Sequence, residues 1–267
     1  MKLQTADIYK FSTTSKIALF LAATFALAGF TWPFFAPDMQ SAHVAQYFFW
    51  IALPLAVFLL LAQLSDHSLD AKSVALLGMI AALLAALRPL GAGAVGIEPM
   101  WFLLILAARV FGGAFGFLLG VSGMLASALF TGGIGPWLSY QLFAAGIIGL
   151  LAGSFAKKLS GLREMALLIL ISIFSALSYG LLMDLQFWPW ALGTNTQLSF
   201  IPGGALAENL HRFITFHFLS SMAWDIPRAV LTSVLVITTG PAVLSALRRT
   251  KTKAAFLTPI EFSERLN

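Results

Sequence analysis

The sequence predicts an all-α polytopic membrane protein of about eight transmembrane segments, and three observations carry that prediction. Of its 267 residues, 59% are hydrophobic, and the mean hydropathy is +0.89. Only 10% are charged, against roughly 25% in soluble domains. So few polar side chains cannot cover a 28.7 kDa globule, and lipid has to cover the rest. The apolar residues also gather in runs close to the roughly 20 that a helix needs to cross about 30 Å of hydrocarbon. This composition excludes a water-soluble enzyme.

Eight runs emerge, bounded by charges, Pro or Gly: 17–36, 44–64, 73–90, 99–111, 113–130, 135–155, 165–185 and 222–247. The first leads into Trp32-Pro33 rather than a small-residue cleavage site, and it is longer than a signal-peptide core. It therefore reads as a retained membrane helix. The third carries Ala81, Ala82, Ala85 and Ala86, two overlapping Ala-x-x-x-Ala pairs. The fourth is too short to span unless it is tilted or enclosed in protein. The fifth places Gly112, Gly116 and Gly120 on one stripe, and the sixth Ala145, Gly149 and Gly153 on another. Such stripes let helix backbones approach closely where lipid supplies no drive between helices, and packing within the chain is their simplest use.

With a cytoplasmic N-terminus, 13 of the 16 Lys and Arg fall inward, leaving Arg88, Arg212 and Arg228 outside. This bias places both termini in the cytoplasm of a multi-pass protein of the cell membrane, with a basic tail at 251–267. The formal charge of +5 is thereby explained by orientation, and no nucleic-acid partner is expected.

The chain lacks cysteine, which removes disulfides, iron–sulfur clusters, thiolate zinc sites and cysteine nucleophiles. No phosphate-cradling G-x-x-x-x-G-K-[ST] motif occurs, so the chain does not burn nucleotide itself. Glu98, Asp184 and Asp225 lie near outward ends of runs, which leaves proton coupling without an obvious mid-membrane carrier. Gly120-Val-Ser122-Gly123 resembles the nucleophile motif of rhomboid-type intramembrane serine proteases. The 165–185 and 222–247 runs hold no His to act as its base. No enzymatic activity, cofactor or metal is expected.

Chemistry instead concentrates on the outward side. The connection 186–221 is 36 residues long, where 2–8 is usual between bundled helices. It holds Trp188, Trp190, Asn195, His211 and Arg212, and over 205–221 Leu206, Leu210, Phe213, Ile214 and His217 recur at helical spacing. That pattern predicts an amphipathic helix at the interface, serving as an aromatic anchor or as a ligand lid. The connections 88–99 and 131–137 converge on the same side with Arg88, Glu98 and Trp137, and Trp224, Asp225 and Arg228 head the last run. Two ion pairs are expected, Asp225 with Arg228 and Arg88 with Glu98.

Taken in order, Ala85-Ala86-Leu87-Arg88-Pro89-Leu90, Glu98-Pro99, the Gly112-to-Gly120 helix, Thr131-Gly132-Gly133-Ile134-Gly135-Pro136-Trp137 and Trp224-Asp225-Ile226-Pro227-Arg228 resemble the substrate-binding S-component of energy-coupling-factor transporters. The similarity spans about 73–250 and is to the actinobacterial type. It implies a six-helix core over 73–250 that binds a vitamin or related micronutrient in an outward pocket. It also implies a transmembrane coupling subunit met by Ala81, Ala82, Ala85 and Ala86, and two ATPase subunits that supply the missing nucleotide chemistry. Residues 1–72, with two extra helices, depart from that pattern. Their Ala18, Ala22 and Ala26 form a further stripe available to a partner. The resemblance favours a cobalamin-like corrinoid as ligand, with a flavin, a thiamin precursor or another vitamin fitting the residues nearly as well. The alternative reading is an independent secondary transporter or channel, followed by a membrane enzyme such as an intramembrane serine protease.

Overall fold

The shortest of the apolar runs forms the centre of the molecule. In the computed structural model, which describes residues 7–8, 11–35, 38, 47, 71–91, 96–135, 137–155, 159–192 and 196–253, helix α3 (Met100–Phe111) buries every residue but Leu103. Its 12 residues rise only about 18 Å. Neighbouring helices rather than lipid surround it, which is how so short an apolar helix is accommodated.

Among the described residues the chain is helical throughout, with no strand. Around α3 stand α1 (Thr13–Thr31), α2 (Ala71–Leu87), α4 (Gly113–Thr131), α5 (Leu138–Ser154), α6 (Gly161–Ala191), α7 (Leu206–Ser220), α8 (Met222–Thr238) and α9 (Gly240–Lys253). Helices α2, α4, α5, α6, α8 and α9 all touch α3. Among the described residues, four helical stretches are long and apolar enough to cross a membrane: Thr13–Phe34, Ala71–Gly91, Gly113–Thr131 and Gly161–Ala191. The α8–α9 pair makes a fifth if it is counted as one span. This supports a multi-pass membrane protein with four or five candidate spans among the described residues, where the sequence reading expects eight over the whole chain. The 44–64 run lies outside the described residues.

Two boundaries differ from the sequence expectation. The seventh run continues to Ala191, giving a 31-residue helix of about 46 Å, so the start of the expected 186–221 connection is helical. Pro189 sits close enough to its end to cost a single hydrogen bond. The last run is broken: α8 and α9 meet at 67°. Pro241, the second residue of α9, has no N–H to bond back into α8, and the Thr238 and Thr239 hydroxyls bond back to the carbonyls of Val234 and Leu235, a pattern that bends helices.

The two small-residue stripes face each other. A Cβ on Gly116 would run into the backbone of Gly149, one on Gly149 into that of Gly116, and one on Gly120 into that of Ala145. The small residues let α4 and α5 approach at backbone contact. On α2, Ala81 and Ala85 are buried, whereas Ala82 and Ala86 are exposed. Ala22 and Ala26 of α1 are fully buried against a cluster that includes Tyr140, Phe143 and Leu185. That stripe is therefore occupied within the chain. The outer faces of α6 and α8 remain apolar and exposed, with Leu170, Phe174, Leu181, Val230 and Ile237, as lipid-facing helices require.

Candidate functional site

A charged cluster forms where the segment before α3 meets the head of α8. Gly96 has φ +69° and lies so close to Trp224 and Arg228 that any side chain would collide with their backbones. Only glycine allows both the left-handed conformation and the approach. This contact carries Glu98 to Arg228, whose Nε donates to Glu98 Oε2 at 2.8 Å. Arg228 Nη1 donates to Asp225 Oδ1 at 2.6 Å, and the Asp225 side chain is fully enclosed. Ser221 Oγ donates to Asp225 Oδ2 at 3.1 Å, while Trp101 Nε1 donates to Glu98 Oε2 at 2.8 Å. The guanidinium lies 5.0 Å from the Tyr179 ring centroid, and Tyr179 in turn meets Trp101 at 4.5 Å. Gly180 leaves the space that the Asp225 carboxylate fills. Buried charges of this kind are tolerable only when paired and hydrogen-bonded, and here Glu98, Asp225 and Arg228 each have at least two polar partners.

The Asp225–Arg228 pair agrees with the sequence expectation. The Arg88–Glu98 pair does not form: Glu98 is taken by Arg228, and Arg88 donates to Gln141 Oε1 at 3.1 Å and Ser127 Oγ at 3.4 Å. Asp225, at the head of α8, is fully buried.

Beside this cluster a cavity of about 310 Å³ opens between α6, α7 and α8, walled by Tyr179, Asp184, Phe187, Phe216, Trp224 and Arg228 among others. Helix α7, expected from the 205–221 periodicity, closes one side. It is pinned by His217 Nδ1, 2.8 Å from Asp184 Oδ2, with the imidazole stacked on Phe213. Asn209, on the same buried face of α7 two turns earlier, accepts from Ile201 N at 3.0 Å and donates to Ile201 O at 2.8 Å. This bidentate clamp fixes the Pro202-Gly203-Gly204 turn against the helix. Arg212 pairs with Glu208 and donates to the carbonyls of Thr196 and Gln197.

The remaining residues singled out in the sequence are dispersed. Trp188 is fully buried; its Nε1 donates to Leu198 O at 2.7 Å, and its ring sits among Phe34, Phe200 and Phe213. It anchors the lid and is not in the wall of the cavity between α6, α7 and α8. Trp190 is partly exposed against Trp32, Trp137 is exposed beside Gly135, and His211 is on the open face of α7. Asn195 lies outside the described residues. Of the whole set, Trp224, Asp225 and Arg228 come together in one wall, with Glu98 directly behind. Sequence reading missed Asp184, Tyr179 and Asn209 as site-forming groups. Asp184 carried a signal, since a carboxylate within an apolar run has to find a partner. Tyr179 and Asn209 carried none.

At the other end of α3 a second buried network holds the helix in place. Arg109, expected in an inward connection, is buried and donates to Glu164 at 2.7 Å, to Phe155 O at 2.8 Å and to Leu159 O at 3.1 Å. Arg248 reaches the same Glu164 oxygen at 2.6 Å, and Lys251 Nζ donates to Val110 O at 2.6 Å. Lys251 thereby meets an open carbonyl at the C-terminus of α3, and Arg109 one at the C-cap of α5. Ser122 Oγ donates to Leu118 O at 2.7 Å within its own helix. Among the described residues no group of three His, Asp or Glu is placed to hold a metal ion.

Compared with protein-family models, with curated protein sequences and with solved structures, the chain matches none.

Proposed function

We propose that this chain is the substrate-capture membrane component of an ATP-driven micronutrient importer of energy-coupling-factor type. The ligand would sit in the cavity between α6, α7 and α8. The observation that carries this reading is the cavity itself: mostly apolar, walled by aromatic side chains, with a few fixed polar groups, the usual make-up of a small-molecule site. A lid helix held by a few polar contacts, His217 to Asp184 above all, supports capture followed by release. The absence of a phosphate-binding motif in the sequence fits a division of labour in which separate ATPase subunits supply the energy.

A volume of about 310 Å³ is at the small end of ligand sites. It favours a vitamin fragment or single-ring micronutrient over the cobalamin-like corrinoid that the sequence resemblance suggests. The exposed Ala82 and Ala86 stripe is the surface for the transmembrane coupling subunit, since Ala81 and Ala85 are used in packing. Purification from native membranes under mild conditions tests the assignment. The chain is expected to carry with it a coupling membrane subunit and two ATPases, and uptake by that complex should require ATP. Uptake by the chain alone in energised, ATP-depleted vesicles would instead mark an independent secondary transporter.

A further inference from the structure

The cavity walls carry unbalanced charge. Asp184 and Asp225 both line the cavity, while among the described residues Arg228 is the cation in its wall. Arg228 is already divided: its Nε serves Glu98 and its Nη1 serves Asp225. One guanidinium thus answers two carboxylates, and Asp184 is left to an imidazole. Arg88 is not in the wall, being bonded to Ser127 and Gln141, and Arg212 is committed to Glu208 and two backbone carbonyls. Asp184 Oδ2 meets His217 Nδ1, whereas its Oδ1 accepts no hydrogen bond among the described residues.

Apart from Gly180, Ser220 and Ser221, the rest of the lining is aromatic or soft: Tyr179, Met183, Phe187, Phe216 and Trp224. Aromatic faces attract cations, and they do so more strongly away from water. A carboxylate in excess beside such faces is hostile to an anion, whose charge would lie next to Asp184 and Asp225 with the charge of Arg228 already shared between Glu98 and Asp225. We propose that this cavity binds a compact, ring-bearing organic cation, its charge held by Asp184 Oδ1 and the faces of Phe187 and Trp224, its ring filling the apolar remainder. This rests on the reading that the cavity is the ligand site.

The absence of native cysteine makes a single reporter thiol possible. Ser220→Cys places one in the cavity wall, in the full chain purified in detergent. Three small probes of similar shape are compared for their protection of this thiol from a maleimide: benzyltrimethylammonium, N-benzylacetamide and phenylacetate. The cation is expected to protect at concentrations at least about tenfold lower than the amide or the anion, equivalent to about 1.4 kcal/mol. Adding Asp184→Asn should remove that advantage. Adding His217→Gln, which takes away the imidazole and leaves the carboxylate, should retain or increase it. Equal or better protection by phenylacetate or the amide overturns the cation class and leaves the pocket reading standing. The cation class is equally overturned if Asp184→Asn has no effect, if His217→Gln loses the advantage as completely as Asp184→Asn does, or if none of the probes protects. The pocket reading is decided separately, by the mass of any small molecule that co-purifies with the chain.

Discussion

Glu98 and Arg228, 130 positions apart in sequence, meet at 2.8 Å and tie the start of the central helix to the head of α8. The same guanidinium holds Asp225, so three charged groups from two segments form one buried unit beside the cavity.

That unit predicts an asymmetry between its members. Arg228→Met strands the fully enclosed Asp225 carboxylate and should destabilise the protein by about 3–5 kcal/mol, as removal of one partner from a buried pair does. Glu98→Gln leaves the Arg228–Asp225 pair intact and can still accept from Arg228, so its cost should be about 1 kcal/mol. Thermal unfolding in detergent checks both, and equal losses would show that the two carboxylates do not play different parts.

The contact between α4 and α5 is predicted to be intolerant of bulk. Gly116→Leu or Gly149→Leu forces apart backbones that are in direct contact and should cost at least the roughly 1–3 kcal/mol of ordinary overpacking. Gly78→Leu, on a helix position with open space around it, should be neutral or slightly stabilising, since Leu is the better helix former. Comparing the melting temperatures of the three variants reads this out.

For the partner surface, Ala82→Trp and Ala85→Trp should behave differently. Ala85 is 1% exposed, so a Trp there disrupts the core and lowers expression and stability. Ala82 is exposed, so a Trp there should leave folding and ligand binding intact and prevent close approach of a coupling subunit. Isolated complexes of the Ala82→Trp variant that assemble and transport normally would place the coupling contact elsewhere.

Much of this architecture was legible from residue spacing. The stripes on α4 and α5 were visible because small residues four apart in a membrane helix have few uses other than close packing, and the amphipathic helix over Leu206–Ser220 was visible from its periodicity. The partner of Glu98 was not, because an ion pair is chosen by tertiary proximity and three arginines, Arg88, Arg212 and Arg228, were assigned to the outward side. Trp188 was likewise indistinguishable from a stacking residue: aromatic residues near a membrane surface serve lids, cores and ligands alike, and only the enclosing Phe34, Phe200 and Phe213 assign it to the core. The break at Thr239 was missed, since 222–247 reads as one apolar run, although Gly240-Pro241 lies within it.

The inward bias of Lys and Arg predicts the topology. Reporters fused after Leu159 or after Asn267 should be cytoplasmic and one inserted at Thr196 external. An external C-terminus would contradict this orientation.

The most direct test of the central claim is native mass spectrometry of the gently purified chain, alone and as Trp224→Ala and Trp190→Ala. Trp224 lines the cavity and is half exposed, so its truncation should leave the fold intact, while Trp190 lies outside the cavity wall. The account predicts a bound small molecule of single-ring vitamin size on the wild type and on Trp190→Ala, lost or sharply reduced on Trp224→Ala. A chain that carries no small molecule, or one held equally by all three proteins, would contradict ligand capture in this cavity.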